Sequence, residues 1–318
     1  MINEFELIEK LLAYAPEKTG RSDSPLRVPA GDDACLLNQI KNPVVTTDTQ
    51  RHGVHFKLDW QTPEEIGQKA VTSTLSDLAA SYAMPISLFV NLAVPPSIKD
   101  STLEKIYKGM KKALVHYSCT LGGGNVSEGR DLSLDLFAIG EGRDDIFPVR
   151  SSATAGYGVY STGPLGLAAS GLDALKRGDV SFTRLVSCFK NPYARFDAAE
   201  ILAENRVMCV IDISDGLAGD AGHIAKASGV SIKLVVPPGQ IDPDMSAYCE
   251  KYGLIPENML LAGGEDYELL FACAPETFDR VKKRLPDTFQ VGECLPFCGQ
   301  HITGLPADVA SFSHGTGS

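Results

Sequence analysis

Gly31-Asp32-Asp33-Ala34 and, a short way on, Thr46-Thr47-Asp48 gather three carboxylates and two hydroxyls into one brief segment of the chain. Carboxylates collected without basic neighbours repel one another unless a cation sits among them. The stretch between them, ACLLNQIKNPVV, is mostly apolar with a turn in its middle, which predicts two short strands carrying acid at their ends. Taken alone, the segment reads equally as a solvated acidic loop. Related stretches recur downstream: Leu75-Ser76-Asp77, Asp212-Ile213-Ser214-Asp215-Gly216 and Gly263-Gly264-Glu265-Asp266. Hard oxygen ligands repeated in Gly- and Ser-containing settings point to Mg²⁺ together with a phosphorylated ligand.

These groups need elements to position them. MINEFELIEKLLAY reads as an acidic amphipathic helix with Phe5, Ile8 and Leu12 on one face, followed by a loop over residues 15–30. Thr62-Pro63-Glu64-Glu65 combines an N-cap, a proline at the first helical position and a glutamate three residues after the threonine, which is a capping box. The helix it opens is predicted to run to about Tyr82 and stop before Pro85. Asp77 then lies inside a helix among Leu75, Leu78 and Ala79, where a carboxylate is either partnered or a ligand. Residues 86–94 read as a buried strand, 101–117 as a helix with a solvated basic face, and LSLDLFAIGEG as an antiparallel strand.

The stretch LGGGNVSEG is predicted to be a turn. It carries neither GxGxxG nor GxxxxGK[ST], although its backbone N–H groups could approach a phosphate closely. Residues 141–156 lose the apolar period and mark a domain boundary. Beyond them come a strand at YGVYSTG, a helix from about Pro164 to Lys176, and a strand from Val207 that runs into Asp212. A helix to Ser228 is closed by Gly229. GGED at 263–266 reads as a hairpin turn before a strand. Strand–helix alternation in both halves predicts an α/β (α+β) fold.

At 318 residues the chain is long enough for two domains of ordinary size. Its 44% hydrophobic and 22% charged residues exclude wholesale disorder. Forty acidic against 29 basic residues give a net charge of −11, which disfavours general binding to nucleic acid or anionic membrane. A polyanionic ligand would therefore draw its positive charge from metal ions. The N-terminal stretch lacks the basic start and apolar core of a signal peptide, and no run approaches the roughly 18 apolar residues that span a bilayer. The expected location is the cytoplasm. The eight cysteines form no CxxC and are expected to be reduced, mostly buried thiols rather than a metal site.

GDDA, TTDxxxxGVHF, LSDLAA, the triple glycine, DISDGL and GGEDYELLF occur in one order along nearly the whole chain, from about residue 4 to 314. Jointly they resemble the thiamine-monophosphate kinases, in the superfamily of aminoimidazole-ribonucleotide synthetase and selenophosphate synthetase. The resemblance implies transfer of the ATP γ-phosphoryl group onto thiamine monophosphate, giving thiamine diphosphate. It also implies a two-domain fold. Residues 1–148 would form an N-terminal mixed sheet with helices that binds ATP and Mg²⁺ and makes a homodimer, and residues 149–318 an α/β domain completing the site.

Position by position, Asp33, Thr46, Thr47, Asp48, Asp77 and Asp212 match the family's magnesium ligands, and Asp215 a further one. Gly124, Asn125, Arg150 and Ser214 fall on nucleotide contacts. His55, Glu265 and Phe312 fall on substrate contacts, Phe312 opposite the thiamine moiety. The family's usual GGDT is here Gly123-Gly124-Asn125-Val126, so a neutral oxygen replaces an acidic ligand at Asn125. Phosphoryl transfer between two anions needs positioning and charge neutralisation more than acid–base groups. No side-chain nucleophile is implied, so no residue is assigned covalent catalysis and direct in-line transfer is expected.

Two other readings compete. Selenophosphate synthetase carries a reactive Cys or selenocysteine in a glycine-rich N-terminal segment and the hydrogenase-maturation relative ends in Cys, whereas this chain ends SHGTGS. A nucleotide-binding relative without turnover is favoured by Asn125 and opposed by Asp33, Asp48, Asp77, Asp212 and Asp215.

Overall fold

The structure, a computed structural model, describes residues 10–14, 25–31 and 33–306. Asp32 and Phe312 lie outside the described residues, as does most of the N-terminal amphipathic stretch, of which residues 10–12 are helical. The chain divides into two compact units, Met1–Leu78 with Ala83–Asp144, and Ala79–Tyr82 with Asp145–Ser318.

In the first unit β1 (Leu26–Val28) and β2 (Leu36–Leu37) form a small antiparallel ribbon, with Asp33 exposed between them. The main sheet contains β3 (Pro43–Arg51), β4 (Met84–Val94), β5 (Thr120–Glu128) and β6 (Ser133–Glu141) in the order β3-β6-β4-β5. β4 and β5 run parallel, while β6 is antiparallel to both β3 and β4. Two expectations are corrected here. Asp48 lies in the interior of β3 and not at a strand end, because pairing with β6 continues from Pro43 to Arg51. LGGGNVSEG is an edge strand and not a turn. A Cβ on Gly124 would lie 1.9 Å from the Val90 carbonyl oxygen, so glycine serves the close approach of two strands.

Helix α1 (Pro63–Ala80) opens on the expected capping box. The Glu65 N–H donates to Thr62 Oγ1 (3.2 Å) and the Thr62 N–H donates to Glu65 Oε2 (2.8 Å). Helix α2 (Asp100–His116) buries Leu103, Ile106 and Met110 and exposes Lys105, Lys108 and Lys112. α1 lies on one face of the sheet. The opposite face leaves Val45 62% and Phe137 41% exposed.

The second unit is built on a six-stranded sheet of β7 (Gly158–Ser161), β8 (Cys209–Asp212), β9 (Val230–Leu234), β10 (Leu269–Cys273), β11 (Phe289–Pro296) and β12 (Ile302–Thr303), in the order β12-β9-β11-β7-β10-β8. The apolar run LLFAC of β10 is continuous because both of its faces are covered. Leu270 and Ala272 enter one core with α3 (Leu167–Arg177), α4 (Thr183–Lys190), α6 (Leu217–Ser228), α7 (Pro243–Tyr252) and α8 (Pro256–Ala262). Leu269, Phe271 and Cys273 enter the other with α5 (Phe196–Glu204) and α9 (Pro275–Arg284). Gly229, at φ 66°, closes α6 as expected. GGED is not a hairpin turn; it connects α8 to β10. All eight cysteines are free and five are buried. Among the described residues no helix is long and apolar enough to cross a membrane.

Candidate active site

In the first unit, strand alternation turns Thr46, Asp48 and Gln50 toward α1 and Thr47 and Thr49 away from it. Thr46 Oγ1 donates to Asp77 Oδ2 at 2.5 Å. Ser73 Oγ and Gln50 Nε2 donate to Asp48 Oδ2 at 3.0 and 3.1 Å, and the Thr49 N–H donates to Asp48 Oδ1 at 2.6 Å. Ser73 and Asp77 stand four residues apart on one face of α1, which is why both meet β3. A carboxylate offers about four lone-pair positions, so Asp48 is oriented by its donors and can still accept a cation.

The remaining residues of this unit are placed differently. Thr47 pairs across from Phe137 on the far face of the sheet, so its hydroxyl does not join Asp48 and Asp77. Asn125 stands in the cross-strand row Thr49, Asp135, Asn91, Asn125, also on that far face. It is three strands from Asp48, roughly 14 Å at the usual strand spacing. His55 follows β3, and its Nδ1 accepts from the Arg51 N–H at 3.0 Å, which leaves Nε2 as the protonated nitrogen of the neutral ring.

In the second unit, β8 ends on Asp212, 4% exposed and paired with Leu269 of β10. The chain turns into α6 through Ser214 and Asp215, whose N–H groups donate to Asp220 Oδ2 at 3.1 and 3.2 Å. Oxygen atoms of Asp215 and Asp220 and a ring nitrogen of His223 lie within 4.8 Å of one another. Asp220 is buried, and burial together with the nearby Asp212 and Asp215 pushes its carboxyl up to about 8. Three carboxylates crowded at one strand end are a donor set that fits a hard divalent cation. Asp220 and His223 escape a reading that stops at DISDG. Their signal is helical, three residues apart on one face of α6.

The GGED segment meets this strand end through its backbone. The Glu265 N–H donates to the Ser214 carbonyl and the Tyr267 N–H to the Ile213 carbonyl, both at 2.9 Å. Asp266 accepts from the Gly166 and Ala168 N–H groups at the start of α3, at 2.6 and 3.0 Å. Burial pushes Asp266 up to about 7 although these two donors act the other way. Arg150 is exposed, and its carbonyl accepts from Ser228 Oγ at 2.8 Å.

Residues 31–142 match the family model described as AIR synthase related protein, N-terminal domain, and residues 154–293 match the corresponding C-terminal domain. The thiamine-monophosphate kinase of Aquifex aeolicus is 33% identical over 289 residues, spanning 89% of this chain and 92% of the relative. That of Bacillus subtilis is 31% identical over 291 residues, spanning 89% and 87%. The chain belongs to the thiamine-monophosphate kinase family. A solved structure, AaThiL complexed with AMPPCP and TMP, superposes with a TM-score of 0.75 at 31% identity, covering 86% of this chain and 87% of that one.

The Asp220 environment makes the stability of the metal-free protein depend on pH. In the metal-free folded protein the group keeps its proton to about pH 8, whereas in the unfolded chain it ionises near pH 4. Its contribution to stability is therefore complete below about pH 4 and is lost as the pH rises toward 8. Thermal unfolding in EDTA is expected to shift downward across that window, with Asp220→Asn flattening the slope. A slope unchanged by the substitution would assign it to other groups.

Proposed function

We propose that this protein transfers the γ-phosphoryl group of ATP directly to thiamine monophosphate, giving thiamine diphosphate in an Mg²⁺-dependent in-line reaction. The observation that carries the reading is its likeness, over most of the chain, to thiamine-monophosphate kinases. Asp33, Thr46, Asp48, Asp77, Asp212 and Asp215 are proposed metal-holding positions, with Asp220 and His223 beside Asp215, while Thr47 and Asn125, on the far face of the sheet, are proposed for a separate ion. Bound Mg²⁺ supplies the positive charge that offsets the phosphates and polarises the transferred group. The protein's own part is orientation: Thr46 aims Asp77, while Ser73 and Gln50 aim Asp48. Gly124, Asn125, Arg150 and Ser214 are proposed for the nucleotide, and His55, Glu265 and Phe312 for the substrate. Eight free cysteines suit a reducing compartment, and the cytoplasm is the proposed location. An ADP-release assay tests the reading. Release should require thiamine monophosphate, and equal release without it would overturn the kinase assignment.

Residues 1–148 are proposed as the ATP-, Mg²⁺- and dimer-forming domain and 149–318 as the α/β domain. Among the described residues, Val45 and Phe137 are exposed on the far sheet face, beside the half-buried Phe89, and this apolar surface supports a homodimer. Light scattering at micromolar concentration should give twice the 34.0 kDa chain mass, and Phe137→Asp should shift it toward the monomer. A monomeric parent would sink this proposal.

Asn125 lies on that same face. Its carbonyl oxygen can ligate Mg²⁺ but brings no charge. Asn125→Asp is expected to lower the Mg²⁺ concentration for half-maximal rate several-fold and to leave the thiamine-monophosphate KM nearly unchanged. Superimposable titrations would make Asn125 a strand residue only, and an inactive parent rescued by Asp would mark a degenerate kinase.

A further inference from the structure

The segment Gly263–Glu268 holds two non-glycine residues in the left-handed region, Glu265 at φ 68° and Tyr267 at φ 53°. Such conformations persist only where the surroundings over-determine them. The surroundings here act from three sides. On one side are the backbone bonds to Ser214 and Ile213, closed by the Ile213 N–H donating to the Glu268 carbonyl at 2.8 Å. Gly264 tightens this contact, since a Cβ there would come within 2.4 Å of the Ser214 carbonyl oxygen. On the second side Asp266 bridges two N–H groups at the start of α3. On the third, Glu268 accepts from Thr162 Oγ1 at 2.5 Å and forms a largely buried ion pair with Arg195. Arg195 is itself oriented by Asp197, Nε to Oδ1 at 3.0 Å and Nη2 to Oδ2 at 3.1 Å.

Asp266 and Glu268 thus anchor the segment on either side of Tyr267, and neither is among the residues that the family likeness assigns to a ligand. We propose that they are positioning residues: they hold the backbone of Glu265 against Ser214 and thereby set the affinity for the phosphate-ester substrate without touching it. This rests on the reading that Glu265 contacts thiamine monophosphate. Asn at 266 keeps only one acceptor oxygen for two N–H groups and removes the charge. Asp266→Asn should therefore release α3 from the segment and let Glu265 relax toward an ordinary backbone conformation. Glu268→Gln should do the same more weakly, because its carbonyl oxygen still accepts from Thr162 or Arg195.

The test is a double-mutant cycle with Glu265→Gln. Asp266→Asn is expected to raise the KM for thiamine monophosphate about tenfold, with kcat and the ATP KM changing less than threefold. In the Glu265→Gln background it should add almost nothing, since both changes remove the same contact. Additive effects, or a lowered melting temperature with KM unchanged, would make Asp266 merely structural and overturn the proposal. Hydrogen exchange supplies a readout independent of turnover. The Glu265 and Tyr267 amides should be protected in the parent and exchange about tenfold faster in Asp266→Asn, with the amides of β10 unaffected. Unchanged exchange would overturn the clamp. Faster exchange in a protein whose parent shows no thiamine-monophosphate-dependent ADP release would uphold the clamp and overturn the assignment of the site.

Discussion

Asp77→Ala and Asp48→Ala are expected to abolish Mg²⁺-dependent nucleotide turnover and to differ in what they do to the fold. Removing one carboxylate from the proposed metal-holding group should remove several kcal/mol of charge stabilisation, and about 4 kcal/mol is already a rate loss of roughly 10³. Asp77 is half-buried inside α1 and accepts from Thr46 Oγ1. Alanine there is a better helix former, so the melting temperature should change little. Asp48 accepts from Ser73, Gln50 and the Thr49 N–H. Gln50 and Ser73 are 4% exposed; Ser73 Oγ keeps the Ala70 carbonyl at 3.0 Å and Gln50 Nε2 keeps Ser73 Oγ at 3.3 Å, so the cost is that of the lost bonds to a charged acceptor, about 1.5–3 kcal/mol. Relief of like-charge repulsion, which alone would stabilise the metal-free protein, does not outweigh that loss. Asp48→Ala should therefore lose both activity and stability, and Asp77→Ala activity alone. Calorimetric titration with ATP and Mg²⁺ checks the first effect and thermal unfolding the second. Unchanged nucleotide affinity in both variants would remove β3 and α1 from the site.

Features written in local chemistry were legible in the sequence. The capping box at Thr62 and Glu65 needs only four consecutive residues, and the structure forms both of its hydrogen bonds. Gly229 ends α6 for an equally local reason. The continuous apolar run of β10 announces burial on both faces without saying by what. Features decided by distant partners were not legible there. Thr46, Thr47 and Asp48 look equivalent as a string, yet alternation sends Thr47 to the far face, and that becomes visible only once α1 is known to lie on the other. The triple glycine looks like a turn because glycine favours turns, but Gly124 is required by the Val90 carbonyl on β4 and Gly122 by the Ser87 and Phe89 side chains of the same strand. Asp220 went unnoticed because its importance comes from burial beside Asp212 and Asp215, and burial is a property of packing.

That same carbonyl makes Gly124→Ala a damaging substitution at the edge of the first unit's sheet. The added Cβ would lie 1.9 Å from Val90 O, 2.9 Å from Val90 C and 3.2 Å from Val90 N. All three atoms are backbone, so no side chain can rotate out of the way and β5 must separate from β4. Overpacking of this kind costs about 1–3 kcal/mol, and the ladder bonds from Leu88 to Val94 that hold the edge strand are strained with it. The melting temperature should fall by roughly 2–10 °C, at no more than about 2–4 °C per kcal/mol for a chain of this length. Asn125→Ala is the control, because the Asn125 side chain is exposed on the far face and its removal leaves the strand pairing intact. If Gly124 and Asn125 also contact the nucleotide, Gly124→Ala should raise the ATP KM as well, since a displaced strand moves both residues. A Gly124→Ala protein as stable as the parent would mean that β5 does not lie against β4 in this register.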